Sequence, residues 1–184
     1  MFLTKTKQRI YKRLELTTRC NTMDRKSIGV YCDKVIYSVI LSDTGNIETQ
    51  KLEKHEGRMR HFRFIKYLKG LADIDLCVII QNEEAVPITN YLRREKKRAF
   101  LPIEYSPIPQ QANYKENPDL PTIVRKLAYR KKQNDVLFSD QLELKNQIEE
   151  LGEGNEAIHM RALDGFVLAF LAAAHGIFTL EVET

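Results

Sequence analysis

Asp164 is a carboxylate whose surroundings call for an explanation. It is flanked by Ala162, Leu163, Phe166, Val167, Leu168 and Phe170. An ionised acid among apolar neighbours loses hydration, at a cost that a cation or hydrogen-bond donors must offset. A magnesium or manganese ion would serve, as would an ion pair with Arg161 on the same helix or a hydrogen bond to a buried sheet. Desolvated acids cluster at functional sites often enough to make Asp164 a candidate metal or substrate residue. His159 gives it little help, because five residues of helix turn a side chain away by more than a right angle. His55 and His61 stand six apart, which matches no standard metal-ligand spacing, and read as surface residues. Cys20, Cys32 and Cys77 are an odd number without a C-x-x-C pair, which argues against a disulfide framework or a zinc knuckle and for a reducing, cytoplasmic setting. Cys32 and Cys77 fall in strand-like segments and read as buried thiols.

The second chemistry-bearing feature is cationic. Arg58, Arg60, Arg63, Lys66 and Lys69 fall in one helical segment, Arg93, Arg94, Lys96, Lys97 and Arg98 close a second, and Arg125, Lys126, Arg130, Lys131 and Lys132 lie in a third. Such cations suit phosphate contacts that position a polyanion without reading its bases. Arg60, Arg63, Lys66, Arg93, Arg94, Lys97, Arg130 and Lys131 are the candidates for contacting DNA or RNA. Tyr91, Tyr105, Tyr114 and Tyr129 stand near them and would add base stacking. The bland alternative is an ordinary solvated face, balanced by acids such as Glu143, Glu149, Glu150 and Glu153. A formal charge of +4 and a pI near 8.9 permit a polyanionic partner without requiring one.

These residues need a scaffold. With 184 residues, 43% of them hydrophobic and 29% charged, the chain is sized for one cored domain. Residues 1–26 carry eight Lys or Arg against Glu15 and Asp24 and read as a basic N-terminal arm, leaving residues 27–184 as the domain. The longest apolar run, Ala162 to Ala174, falls short of the roughly 20 residues needed to cross a bilayer and reads as a core helix. From Ser27 the pattern predicts three strands, Ser27 to Cys32, Val35 to Leu41 and Asn46 to Leu52, separated by turns at Asp33-Lys34 and Ser42–Gly45. Arg60 to Leu71 places Phe62, Ile65 and Leu68 at helical spacing, with cations on much of the remainder. Leu76 to Ile80 is continuously apolar, as suits a strand buried on both faces. A helix from Glu84 to Lys97 tolerates Pro87 in its first turn, and Phe100 to Tyr105 reads as a further strand. A loop at Ser106 to Gln111, helices through Val124 to Lys132 and from Ser139 to Leu151, and a last helix from about Asn155 to His175 complete the expectation.

The resulting order, β-β-β-α-β-α-β followed by helices, predicts an α/β mixed sheet, a three-stranded antiparallel meander plus parallel strands, covered by helices. It resembles the ribonuclease H-like fold. Within that superfamily the chain resembles RuvC-type resolvases and small YqgF-like domains over roughly Ser27 to Gly176. The resemblance rests on Ile28-Gly29-Val30 opening the first strand, Glu104-Tyr105-Ser106-Pro107 ending the fifth, and Ala162-Leu163-Asp164-Gly165-Phe166-Val167-Leu168-Ala169 in the last helix. It implies a divalent-metal nuclease site, Mg2+ or Mn2+, to which Asp164 belongs, and a possible homodimer.

Two-metal hydrolysis needs several carboxylates around cations about 4 Å apart. Here the pattern departs from the family: Tyr31 stands where the first strand should carry an aspartate, Gln81 where the fourth should carry a glutamate, and the second helix acid expected near Arg161 is replaced by that cation. Because strand side chains alternate with period two, Asp33 shares the face of Tyr31 and Glu83 that of Gln81, if the strands continue so far. A relocated catalytic and metal site of Asp33, Glu83 or Glu84, and Asp164 is the corresponding expectation. Three readings stand: a nucleic-acid-associated relative of RuvC-type nucleases with an eroded carboxylate set, an active nuclease with a relocated site, and a protein- or small-molecule-binding scaffold, since fold does not dictate function. The segment from Asp75 to Tyr105 also faintly resembles metallocofactor-carrier domains of the nitrogenase accessory type, without specific ligands.

Overall fold

Three consecutive segments, the second of them rich in β-branched residues, are joined by short polar turns and build the expected meander. The computed structural model of the protein describes residues 24–104, 120–132, 136–137, 146 and 164–182. In it β1 (Arg25–Cys32), β2 (Ile36–Asp43) and β3 (Ile47–His55) pair antiparallel in sequence order. Strand β1 takes in Arg25 and Lys26, two residues assigned above to the basic arm. A reciprocal pair fixes its start: the Lys26 N–H donates to the Asp75 carboxylate at 2.8 Å, and the Asp75 N–H donates to the Lys26 carbonyl at 2.9 Å. Residues 1–23 lie outside the described residues.

Helix α1 (Arg60–Gly70) leads to β4 (Leu76–Ile80). A single 3-10 turn, Glu83–Ala85, then opens α2 (Val86–Glu95), which leads to β5 (Phe100–Ile103). Strand β4 lies parallel to both β1 and β5. Helix α3 (Leu120–Lys132) precedes a two-residue strand, β6 (Val136–Leu137), which adds parallel to β3 at the far edge and which the periodicity did not announce. The sheet order is β5-β4-β1-β2-β3-β6. A meander continued by parallel strands, with helices on both faces, is the α/β architecture anticipated for a ribonuclease H-like fold. The expected loop at Ser106 to Gln111 and helix at Ser139 to Leu151 lie outside the described residues.

The last helix, α4 (Gly165–Val182), organises one face. Every residue from Val167 to Leu180 is buried, including Phe170 and Phe178, each of which contributes about 1.5–3 kcal/mol by leaving water. The helix continues through Gly176 rather than ending there, and the reason is packing. A Cβ at Gly176 would meet the Ser27 side chain, and a Cβ at Gly29 would meet the backbone of Ala169 and Ala173. Glycine on both partners lets helix and strand approach closely. Val39, Leu41 and Ile47 pack with α4 and with Ile123, Val124 and Leu127 of α3 on one side, and Leu76, Val78, Leu101 and Ile103 pack beneath Leu168 and Ala172 on the other. On the opposite face Ile28, Val30, Cys32, Cys77 and Ile79 meet Phe64 and Leu68 of α1 and Ile88 and Leu92 of α2. No helix among the described residues is long and apolar enough to cross a membrane.

Candidate functional site

The parallel pairing of β1 with β4 sets Val30 beside Ile79, so the C-terminal ends of these strands form one edge of the sheet. The first turns of α1 and α2 and the start of α4 border it. Tyr31 lies on the α4 face, partly buried between the two apolar clusters that flank that helix. Burial, then the nearby Asp33 carboxylate, push its phenol above the ordinary value, so it stays neutral where the family resemblance places an anionic ligand. Asp33 is exposed in the β1–β2 turn, its N–H bonded to the Val35 carbonyl at 3.0 Å.

The expected face of Gln81 is corrected. Its Nε2 donates to Thr89 Oγ1 of α2 at 3.1 Å, so Gln81 belongs to the α1/α2 face while Ile80 packs under α4. Alternation therefore makes Ile80, not Gln81, the companion of Tyr31. Asn82 ties the edge together: its Nδ2 donates to the Cys32 carbonyl at 2.7 Å and its Oδ1 accepts from the Ala85 N–H at 2.9 Å. Asparagine ahead of two glutamates is a recognisable cap signal. Glu83 is exposed in the 3-10 turn rather than on a continued strand. Glu84 is held by α1, its carboxylate 2.6 Å from Arg60 Nη2 and 3.8 Å from His61 Nε2, with the His61 ring also 2.7 Å from the Glu84 carbonyl.

Asp164 is exposed and precedes the described helix rather than lying among apolar neighbours within it. Its Oδ1 accepts from the Phe166 N–H at 2.8 Å and its carbonyl accepts from the Leu168 N–H at 3.1 Å. That is a helix cap, favoured because the acid satisfies an otherwise orphaned donor and lies at the positive end of the helix dipole. His159 and Arg161 lie outside the described residues. Asp33, Glu83, Glu84 and Asp164 thus share an edge, but among the described residues no three His, Cys, Asp or Glu side chains come together to hold a metal ion. With Glu84 neutralised by Arg60, Asp164 capping α4 and Tyr31 offering a neutral phenol, these side chains do not fit a two-cation centre.

The cations divide into two groups. Arg60 is engaged with Glu84. Arg130 is held by Asp43 at 3.2 Å and by Glu181, with Arg25 3.7 Å from the same Asp43; it joins the β2–β3 turn to α3 and α4 instead of facing solvent as a phosphate ligand. Arg63, Lys66, Arg93, Arg94 and Lys97 are exposed on the outer sides of α1 and α2. The Lys131 side chain, Tyr105 and Tyr114 lie outside the described residues. Tyr91 is half-buried and Tyr129 is 63% exposed.

Two apolar and aromatic expectations also change. Phe62 is 62% exposed, while Phe64 and Leu68 are buried. The inward stripe is Phe64, Tyr67, Leu68 and Leu71, a full i, i+3, i+4, i+7 series that the sequence carries and that leaves Phe62 outside it. His55 is half-buried, its ring 5.4 Å from those of Phe64 and Tyr67, and burial pulls its pKa down. Cys32 and Cys77 are buried free thiols, each pushed up to about 12 by desolvation, which makes them poor nucleophiles.

No protein-family model matches the chain, and no curated protein matches it. Among solved structures it is similar to a human cytomegalovirus terminase nuclease domain soaked with manganese, at 14% identity and a TM-score of 0.43, over 90% of this chain and 92% of that one. A likeness at that level carries nothing about chemistry; the fold rests on the strand order described above.

Proposed function

We propose that this chain is a nucleic-acid-associated ribonuclease H-like protein, a divergent relative of RuvC-type nucleases that binds DNA or RNA through its helices and has an eroded cleavage site. The observation that supports this reading is the separation of charge. At the sheet edge, where a nuclease of this fold would hold its cations, Tyr31 is neutral and Glu84 is paired with Arg60. On the outer sides of α1 and α2, Arg63, Lys66, Arg93, Arg94 and Lys97 are exposed without ion-pair partners among the described residues. Cations so placed favour phosphate contacts by counterion release.

The test is cleavage of labelled four-way-junction DNA, single-stranded DNA and RNA with manganese or magnesium, beside gel-shift lanes lacking metal. Binding without cutting is the expected result. Cutting that disappears in Asp164→Asn would replace this reading with the active, relocated site of Asp33, Glu83 and Asp164, for which the shared sheet edge is the supporting observation. Neither binding nor cutting would favour the scaffold reading.

A further inference from the structure

Viewed along α1, the exposed arc is not uniformly polar. Met59 is 55% and Phe62 62% exposed, and Arg63, Lys66 and Lys69 complete the same arc at helical spacing. No acid lies on it. Over about 15 Å of helix the arc therefore runs from an apolar, aromatic end beside the sheet edge to a cationic end at Lys69. There it meets α2: the Lys69 ammonium lies 5.5 Å over the Tyr91 ring, and Lys69, Tyr91, Glu95, Arg94 and Lys97 line an open groove of about 580 Å³. Desolvation, then Glu95, push the Tyr91 phenol up to about 12, so the aromatic wall of the groove is neutral.

An exposed phenylalanine contributes little to the folded state, and this one, one turn beyond the exposed Met59, is followed on the same arc by Arg63, Lys66 and Lys69. A base that is not already stacked in a duplex is a ligand that uses both features, its ring on Phe62 and its phosphates on the neighbouring cations. We infer that the outer arc of α1, from Phe62 through Arg63, Lys66 and Lys69 into the Arg94–Lys97 groove, is a track for single-stranded nucleic acid. This inference rests on the nucleic-acid reading above and narrows it to one strand form and one surface. A duplex presents phosphates but no free base face, so it engages the cations and not Phe62.

Fluorescence anisotropy with a labelled oligothymidylate and with a labelled duplex, over a series of salt concentrations, tests it. The single strand is expected to bind at least about tenfold more tightly than the duplex, with a log–log salt slope of about −3.5 if five cations each contribute about −0.7. Phe62→Ala is expected to weaken the single strand about 5- to 100-fold and leave the duplex unchanged, Phe62→Tyr to retain binding, and Lys66→Gln to reduce the slope by about 0.7. Thermal melting confirms that the variants fold. Equal binding of both forms, or indifference to Phe62→Ala, overturns the track while leaving nucleic-acid association standing. Absence of binding to any DNA or RNA defeats both.

Discussion

On one face of the sheet, α4 is buried along Val167–Leu180 and lies against β1 through Gly29 and Gly176. On the other, α1 buries Phe64 and Leu68, α2 buries Ile88, Thr89 and Leu92, and both turn cations outward. The α4 face carries the core, and its charges at Asp43, Arg130 and Glu181 are mutually engaged. The α1/α2 face has its own buried cluster, but Arg63, Lys66, Arg93, Arg94 and Lys97 on its outer side have no ion-pair partner among the described residues. Substitutions on the first face should therefore be read in stability, and those on the second in binding.

The sharpest contrast sets Gly29 against Lys66. Gly29→Val forces a branched side chain into the α4 backbone and should lower stability by more than about 3 kcal/mol or prevent folding, whereas Lys66→Gln should stay within about 0.5 kcal/mol of the parent; denaturant titration measures both. Arg130→Ala comes next. It leaves the carboxylates of Asp43 and Glu181 without this guanidinium and should cost about 2–3 kcal/mol with no change in nucleic-acid affinity, and a loss of affinity at unchanged stability would return Arg130 to the binding set. Asp164→Ala removes the α4 cap and should cost about 1 kcal/mol, while Asp164→Asn, which still accepts the Phe166 N–H, should be nearly silent.

The smallest effect belongs to His55. Because burial lowers its folded pKa, the unfolded chain takes up the proton first as pH falls. Stability is then fully present above the ordinary histidine value of about 6.5 and declines as pH drops from there toward the depressed folded value. Melting temperatures measured from pH 8 to pH 5 should fall less steeply in His55→Phe, which keeps the ring contacts with Phe64 and Tyr67. Identical pH slopes in the two proteins would show that His55 is solvated in the native state.

The β-branched run of Val35 to Leu41 and the turn residues on either side of it made the meander legible from Ser27 onward, and the unbroken apolar run of Leu76 to Ile80 announced a strand buried on both faces. The candidate site was less legible. Gln81 was assigned to the wrong face because one residue of register at a strand end reverses every side chain beyond it. From its sequence neighbours Asp164 reads as desolvated, yet Phe166, Val167, Leu168 and Phe170 lie C-terminal to it inside α4 while the acid itself stands outside, at the cap. Phe62 was grouped with Leu68 because an i, i+3, i+6 series drifts around a helix of 3.6 residues per turn.

The sequence by itself determined strands β1 to β5, the buried character of the last helix and the cationic composition of α1 and α2, because propensity and periodicity are local properties of consecutive residues. Only the tertiary structure decided which charges are available. Arg60 and Glu84 lie 24 residues apart, and Arg130 and Asp43 lie 87 apart. Whether such groups neutralise one another or face solvent depends on the chain reversals that bring them together, and no local pattern encodes that choice.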